Sequence, residues 1–257
     1  MSHYIDLNSD LGESFGNYTL GMDSEVLNHV TSANVACGWH AGDPLIMEAT
    51  VRMCKEKGVA VGAHPGYPDL MGFGRRVMAV NPGEAKAYMT YQLGALQAFC
   101  DSYGVTLQHM KLHGAFYNTA CVTPALADAV LDGLQAVNPN IAAMVLSGSY
   151  IAKEAQRRGI PVIQEIFADR GYTNEGTLVP RTEPGAFIKD PHEALERVLM
   201  MVKEGKVVTN TGNTIDIVAD SICVHGDNPE AIAFTKYIRE GLAKAGVTVA
   251  NFQDRKK

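Results

Sequence analysis

Short apolar runs alternate with longer amphipathic stretches along the whole chain. The runs at 4–7, 34–37, 59–63, 107–112, 142–146, 161–167 and 221–224 read as buried strands, and 247–250 as a further one. Each is short and bounded by glycine, proline or polar residues. Between them, apolar positions recur at helical spacing; in the last such stretch Ala231, Phe234, Ile238, Leu242 and Ala245 fall on one stripe. Helix starts are legible. Asp43-Pro44, Asn81-Pro82, Thr123-Pro124, Asp190-Pro191 and Asn228-Pro229 each set a capping side chain before a proline at the first helical position. Gly58, Gly104 and Gly246 follow helical stretches, as helix C-terminal glycines do.

Repeated strand–helix units predict an α/β fold with a parallel sheet. Seven or eight strands, with no glycine-rich phosphate fingerprint after the first, favour a closed (β/α) barrel over an open sheet. No low-complexity linker or shift in composition interrupts the chain, so residues 1–257 read as one domain. The stretch 169–188 is too long for a plain connection and reads as a functional loop or a small excursion.

Composition narrows the function. Apolar residues make up 46% and charged residues 19%, which suits a large core. A net charge of −6 argues against nucleic-acid binding, which needs a clustered basic face. The basic cluster Arg255-Lys256-Lys257 reads as a solvated tail. The five cysteines are odd in number and form no C-x-x-C pair, so neither a disulfide framework nor a zinc ribbon is expected. Free thiols, no signal-peptide pattern and no apolar run near the ~18 residues of a membrane span lead to a cytoplasmic expectation.

In such barrels the active site lies at the C-terminal ends of the strands. Polar residues gather at that end strand after strand: Asp6, Asn8, Asp10 and Glu13; Asn34, Cys37, His40 and Asp43; His64; Lys111, His113 and Asn118; Glu165, Asp169 and Arg170; His225 and Asp227. The recurrence predicts a polar cavity. Some of these residues have plainer readings. Asp43 reads first as a helix N-cap, Cys37 as a small buried residue, and Asp6 or Asn8 as a partner in a structural network. His3, His29, His109 and His192 read as surface or packing. Four histidines at four strand ends (His40, His64, His113 and His225) instead point to at least one of them in catalysis or ligation. Lys111, Arg170, Arg75 and Arg76 are candidates to hold a carboxylate or phosphate. Asp10, His40 and His64 are candidates for a divalent metal, although their spacing matches no local zinc motif. No G-x-x-x-x-G-K-[ST] loop is present; Gly72-Phe73-Gly74-Arg75-Arg76 is the nearest to a phosphate signal.

The segments 6–13, 34–43, 62–69, 72–76, 111–118, 165–172, 178–181 and 224–227, in this order, resemble the LamB/YcsF family. One departure is visible. The family pattern Lys-Pro-His-Gly-Ala-Leu-Tyr-Asn is met here with Leu112 and Phe116 in place of its proline and leucine. The resemblance implies a seven-unit barrel of the glycoside hydrolase/deacetylase type. It also implies ATP-dependent opening of 5-oxoproline to glutamate, with Mg²⁺ accompanying ATP, alongside subunits B and C. Under it Asp10, Glu13, His40, His64, Lys111, His113, Glu165 and His225 are the catalytic candidates. Asn8, Asn34, Arg75, Arg76, Asn118, Asp169, Arg170 and Asp227 are the candidates for holding substrate or phosphate. Lys111 and Arg170 would hold phosphate or substrate carboxylate, and Asp10 or Glu13 the Mg²⁺. Three rivals remain open: a stand-alone metal-dependent deacetylase or amidohydrolase, a non-catalytic lactam or sugar binder, and a subunit silent without its partners.

Overall fold

The computed structural model describes residues 3–254; the tail Arg255-Lys256-Lys257 lies outside them. Six parallel strands follow one another around a barrel: β1 (His3–Leu11), β2 (Ser32–Ala36), β3 (Ala60–His64), β4 (Leu107–Met110), β5 (Ala142–Leu146) and β6 (Val162–Phe167). The chain then forms an antiparallel hairpin of β7 (Lys206–Val208) and β8 (Thr214–Asp216). It returns as β9 (Ser221–Cys223), which pairs with both β6 and β1 and closes a seven-stranded barrel. Finally β10 (Val247–Val249) pairs with the start of β1, from His3 to Ile5, beyond the closure. All eight strands expected from the apolar runs are present, whereas the β7–β8 hairpin lacks any apolar run that would signal it.

The helices are α1 (Asp23–Val26), α2 (Pro44–Lys57), α3 (Pro82–Tyr103), α4 (Gly114–Val122), α5 (Pro124–Val137), α6 (Tyr150–Arg157), α7 (Pro191–Glu204) and α8 (Pro229–Lys244). Four of the five Asx/Thr-Pro starts cap as expected. Asp43, Asn81, Asp190 and Asn228 each accept a first-turn backbone N–H, and Asn81 forms a full capping box with Glu84. Thr123 is the exception: it makes no side-chain cap. Its own N–H still bonds Thr119 O at 3.0 Å, so it serves as the joint between α4 and α5. Asp43 also accepts from Gly16 N at 2.8 Å, pinning the loop after β1. On α8 the expected stripe packs inward at Ile238 and Leu242.

Among the described residues, no single helix is long and apolar enough to cross a membrane.

The barrel interior is polar, and that follows from period-two alternation on β1, which turns Asp6, Asn8 and Asp10 to one face. At its base Asp6 accepts from Thr31 Oγ1 at 2.6 Å and Ser32 Oγ at 2.7 Å, and from Ser221 Oγ. Above it Asn34 donates to Asn8 and to Asp10, both at 2.8 Å, and accepts from His109 Nε2 at 2.7 Å. A Cβ on Gly62 would lie 2.1 Å from His109 Nε2, so only glycine leaves room for that ring. These buried polar groups are tolerated because they bond one another.

Candidate active site

The loops at the C-terminal ends of the strands surround a cavity of about 600 Å³. β1 and the residue run after it bring Asp10 and Glu13, β3 brings His64, and the β4–α4 junction brings Lys111, His113, Tyr117 and Asn118. The loop after β3 adds Phe73 and Arg75, the loop after β6 adds Arg170 and Arg181, and the end of β9 adds Cys223, His225 and Asp227.

One wall is a cluster of three imidazoles. His40 stacks on His113 with centroids 3.7 Å apart, and its Nε2 lies 3.0 Å from Glu13 Oε1. His64 Nδ1 meets Lys111 O at 2.8 Å, and His113 Nε2 meets Phe73 O at 2.8 Å. A carbonyl oxygen can only accept, so those two ring nitrogens carry protons. The remaining nitrogens, His64 Nε2 and His113 Nδ1, then aim bare lone pairs at each other across 2.9 Å. Only a shared proton or a cation makes that approach favourable. Asp10 Oδ2 lies 3.3 Å from His64 Nε2, and Glu13 Oε1 lies 3.5 Å from His113 Nδ1.

The local chain is shaped for this contact. Phe73 adopts φ 52°, a left-handed conformation strained for a side-chain-bearing residue. A Cβ on Gly74 would lie 2.8 Å from His113 Cδ2. Burial and the neighbouring imidazoles hold His40 and His113 well below the usual histidine range. For His64, burial acts downward but the Asp10 carboxylate outweighs it and raises the ring.

Lys111 is the floor. Its side chain is 3% exposed, and Nζ lies 2.7 Å from Glu165 Oε1, 3.1 Å from Asp10 Oδ1, 3.2 Å from Asn8 Oδ1 and 3.2 Å from Cys223 Sγ. Burial opposes the ammonium, yet Asp10 and Glu165 hold it well above the ordinary lysine value. Asp10 in turn, despite burial, is kept well below the carboxylate range by His64 and Lys111. Burial raises Glu13. Glu165 Oε2 accepts from the Tyr117 hydroxyl at 2.8 Å. Across the cavity His225 Nε2 lies 3.3 Å from Asp169 Oδ2. Burial works against both charges, but each raises or lowers the other toward the ionised pair.

Ten of the residues expected at the site line the cavity: Asp10, Glu13, His64, Arg75, Lys111, His113, Asn118, Arg170, His225 and Asp227. His40, Glu165, Asn8, Asn34 and Asp169 contact those residues from behind. Arg76 is not brought in, because its guanidinium is spent on Asp69. Arg170 reaches the wall but donates to Ala186 O at 3.0 Å and Val179 O at 2.6 Å, which ties down the loop expected to be functional. Cys37 is buried with its thiol pushed up to about 12 by burial, as a packing residue.

Tyr117, Cys223 and Arg181 also line the cavity, and His109 stands inside the barrel. His109 had a usable signal, since it precedes Lys111 by two residues and so shares its face. Leu112 and Phe116, the two departures from the family pattern, are buried, and Phe116 stacks on Tyr67 at 4.5 Å.

The fold and site define a closed seven-stranded (β/α) barrel whose strand ends gather imidazoles and carboxylates over a buried lysine. Residues 5–257 match the LamB/YcsF family, and the chain belongs to it. It is 60% identical over 254 residues to a Fusobacterium nucleatum protein named as the A subunit of 5-oxoprolinase, covering 99% of each chain. It is 53% identical over 250 residues to the protein of that name from Pyrococcus abyssi, covering 97% of this chain and 98% of that one. The crystal structure of the lactam utilization protein from Thermus thermophilus superposes with a TM-score of 0.91 at 45% identity, covering 97% of this chain and all of the other.

Proposed function

We propose that this chain is the A subunit of a cytoplasmic, ATP-dependent 5-oxoprolinase. The reaction opens 5-oxo-L-proline to L-glutamate while Mg-ATP becomes ADP and phosphate, in a complex with subunits B and C. The relatives' shared name supports the substrate. The observation that carries the chemistry is the Lys111 ammonium, buried between Asp10 and Glu165 at the cavity floor. A fixed positive charge in a low-dielectric site favours an amide oxygen that gains negative charge.

A five-membered lactam is a stabilised amide with little strain to release, so uncoupled opening near neutral pH is unfavourable. Transfer of a phosphoryl group to the amide oxygen makes the carbonyl carbon a better electrophile and links opening to ATP. Water then adds at that carbon, the C–N bond breaks as the nitrogen takes a proton, and the γ-glutamyl phosphate so formed is hydrolysed by a second water to glutamate and phosphate. Glu13, which lines the cavity and is raised by burial, suits the base that receives the proton from water. His225, kept charged by Asp169, suits the acid that protonates the nitrogen. Asp10 and Glu13 are also the carboxylates at the mouth open to the Mg²⁺ of ATP.

Glu13, His40, His64 and His113 each offer one ligand atom, all within 4.8 Å of one another, and fit a divalent metal. The two opposed imidazole lone pairs are the reason they fit. A metal held there would polarise the substrate carbonyl. The same cluster favours a second reading, a metal-dependent amidohydrolase that needs no ATP.

One experiment separates the two. The chain is assayed alone and with B and C for glutamate and ADP formed from 5-oxoproline and Mg-ATP. Glutamate only with all three subunits and ATP is expected. Glutamate from the chain alone without ATP would establish the amidohydrolase, and no glutamate from folded protein in any combination would overturn both.

A further inference from the structure

We propose that Arg75 and Arg181 form a two-guanidinium clamp at the cavity mouth that takes a phosphoryl dianion. The naming of the anion as phosphoryl rests on the ATP-dependent reaction proposed above, whereas the clamp itself rests on geometry alone.

Most cations around the cavity are already committed. Lys111 lies at the buried floor, bonded to Asp10 and Glu165, and does not reach the mouth. Arg76 is paired with Asp69. Arg170 donates to the carbonyls of Ala186 and Val179. Arg75 and Arg181 remain. Both line the cavity, and among the described residues neither side chain has a hydrogen bond or an ion pair. Both are nevertheless held in place by rings. The Arg75 guanidinium carbon sits 5.2 Å from the centre of Phe73, and that of Arg181 sits 5.3 Å from the centre of Phe187. Stacking of this kind fixes the guanidinium plane and leaves its N–H fork free.

The two residues come from different loops, one after β3 and one after β6, and face the same space. Burial first, and then the charge of Arg75, hold Arg181 below its usual value against the pull of Asp169 and Asp10. Two guanidiniums over one cavity, without hydrogen-bond partners among the described residues, suit an anion between them. A dianion with three acceptor oxygens can occupy both forks, while a single carboxylate satisfies one. Two sources share that chemistry, the terminal phosphate of ATP and a phosphorylated lactam.

The test is calorimetric titration of the full chain with inorganic phosphate at low ionic strength. Saturable binding is expected, with Arg75→Ala and Arg181→Ala each weakening it about tenfold or more. Arg181→Lys, which keeps the charge without the fork, should fall between. Arg52→Ala on the outer face of α2 should bind like the parent, and thermal melts confirm that each variant is folded. Absent saturable binding, or equal loss in Arg52→Ala, would overturn the clamp. A parallel titration with 5-oxoproline should be unchanged in both alanine variants. Loss of 5-oxoproline binding with phosphate binding intact would assign the pair to the substrate carboxylate and overturn the phosphoryl reading.

With B and C present, a higher KM for ATP in the variants would identify the nucleotide as the source. An unchanged KM with a lower kcat would identify the phosphorylated lactam. Because phosphate binding is read without turnover, a failed clamp stays distinct from an absence of ATP-linked glutamate in the parent complex.

Discussion

Lys111 is both a reactive group and a structural counter-charge, so its loss should register twice. Lys111→Met keeps the apolar stem but leaves Asp10 and Glu165 buried without their cation. Breaking one side of a buried ion pair costs about 3–5 kcal/mol, and urea unfolding should show a loss of that order. Turnover in the complex should fall by about a hundredfold or more. Adding Glu165→Gln should recover stability without recovering turnover; unchanged stability in the single variant would refute the pairing.

The opposed lone pairs of His64 and His113 lead to a second expectation. Protein purified without chelator should carry about one equivalent of a divalent metal by elemental analysis, and His113→Ala should lose it while staying folded. Metal-free, fully active parent protein would assign the contact to a shared proton. The residue types of this site were legible because each stands at a strand end. Their division of labour was not. Arg76 and Arg170 look as available as Arg75 in the sequence, and only the partners Asp69, Val179 and Ala186 show that they are committed.

At the scale of elements, local chemistry was the most readable. An Asx residue before proline fixes a helix start within a few residues, which is why α2, α3, α7 and α8 begin where expected. The hairpin of β7 and β8 escaped because Val207-Val208 and the single Ile215 between Thr214 and Asp216 are too short to form an apolar run. The short helix α1 matters more than its length suggests. Its first residue, Asp23, accepts from Gly12 N at 2.9 Å and so holds the turn that carries Glu13. Burial, with Glu13 and Asp227 nearby, raises Asp23 to about 6 from the ordinary 3.8.

A carboxyl raised on folding binds a proton that the unfolded chain has released, so stability falls as pH rises from near 4 to near 6 and stays lower above that. Asp23→Asn keeps an acceptor for Gly12 and abolishes the titration. The variant should therefore melt higher than the parent at pH 7–8, with the difference closing towards pH 4. A constant difference across that range would show that Asp23 does not titrate there.

At the scale of the molecule, the barrel closes through its shortest strand. β9 has three residues and joins both β1 and β6, so side chains must reinforce what few ladder bonds supply. Ser221 does this by donating to Asp6 and accepting from Asn8 Nδ2 at 2.8 Å. Asn8 then holds Lys111 Nζ at 3.2 Å, and Lys111 holds Asp10. The seam that closes the fold is thus continuous with the floor of the cavity, which explains why polar residues recur so deep inside. Ser221→Ala removes one hydroxyl and leaves Asn8 short of an acceptor and Asp6 short of a donor. Each unsatisfied buried group costs about 1–3 kcal/mol, so a loss of that order in urea unfolding is expected, with faster amide exchange confined to β1 and β9. Since Asn8 also positions Lys111, kcat should drop severalfold while the KM for 5-oxoproline holds. A stability loss without any change in kcat would show that the seam and the site are mechanically separate, and that the polar interior serves closure alone.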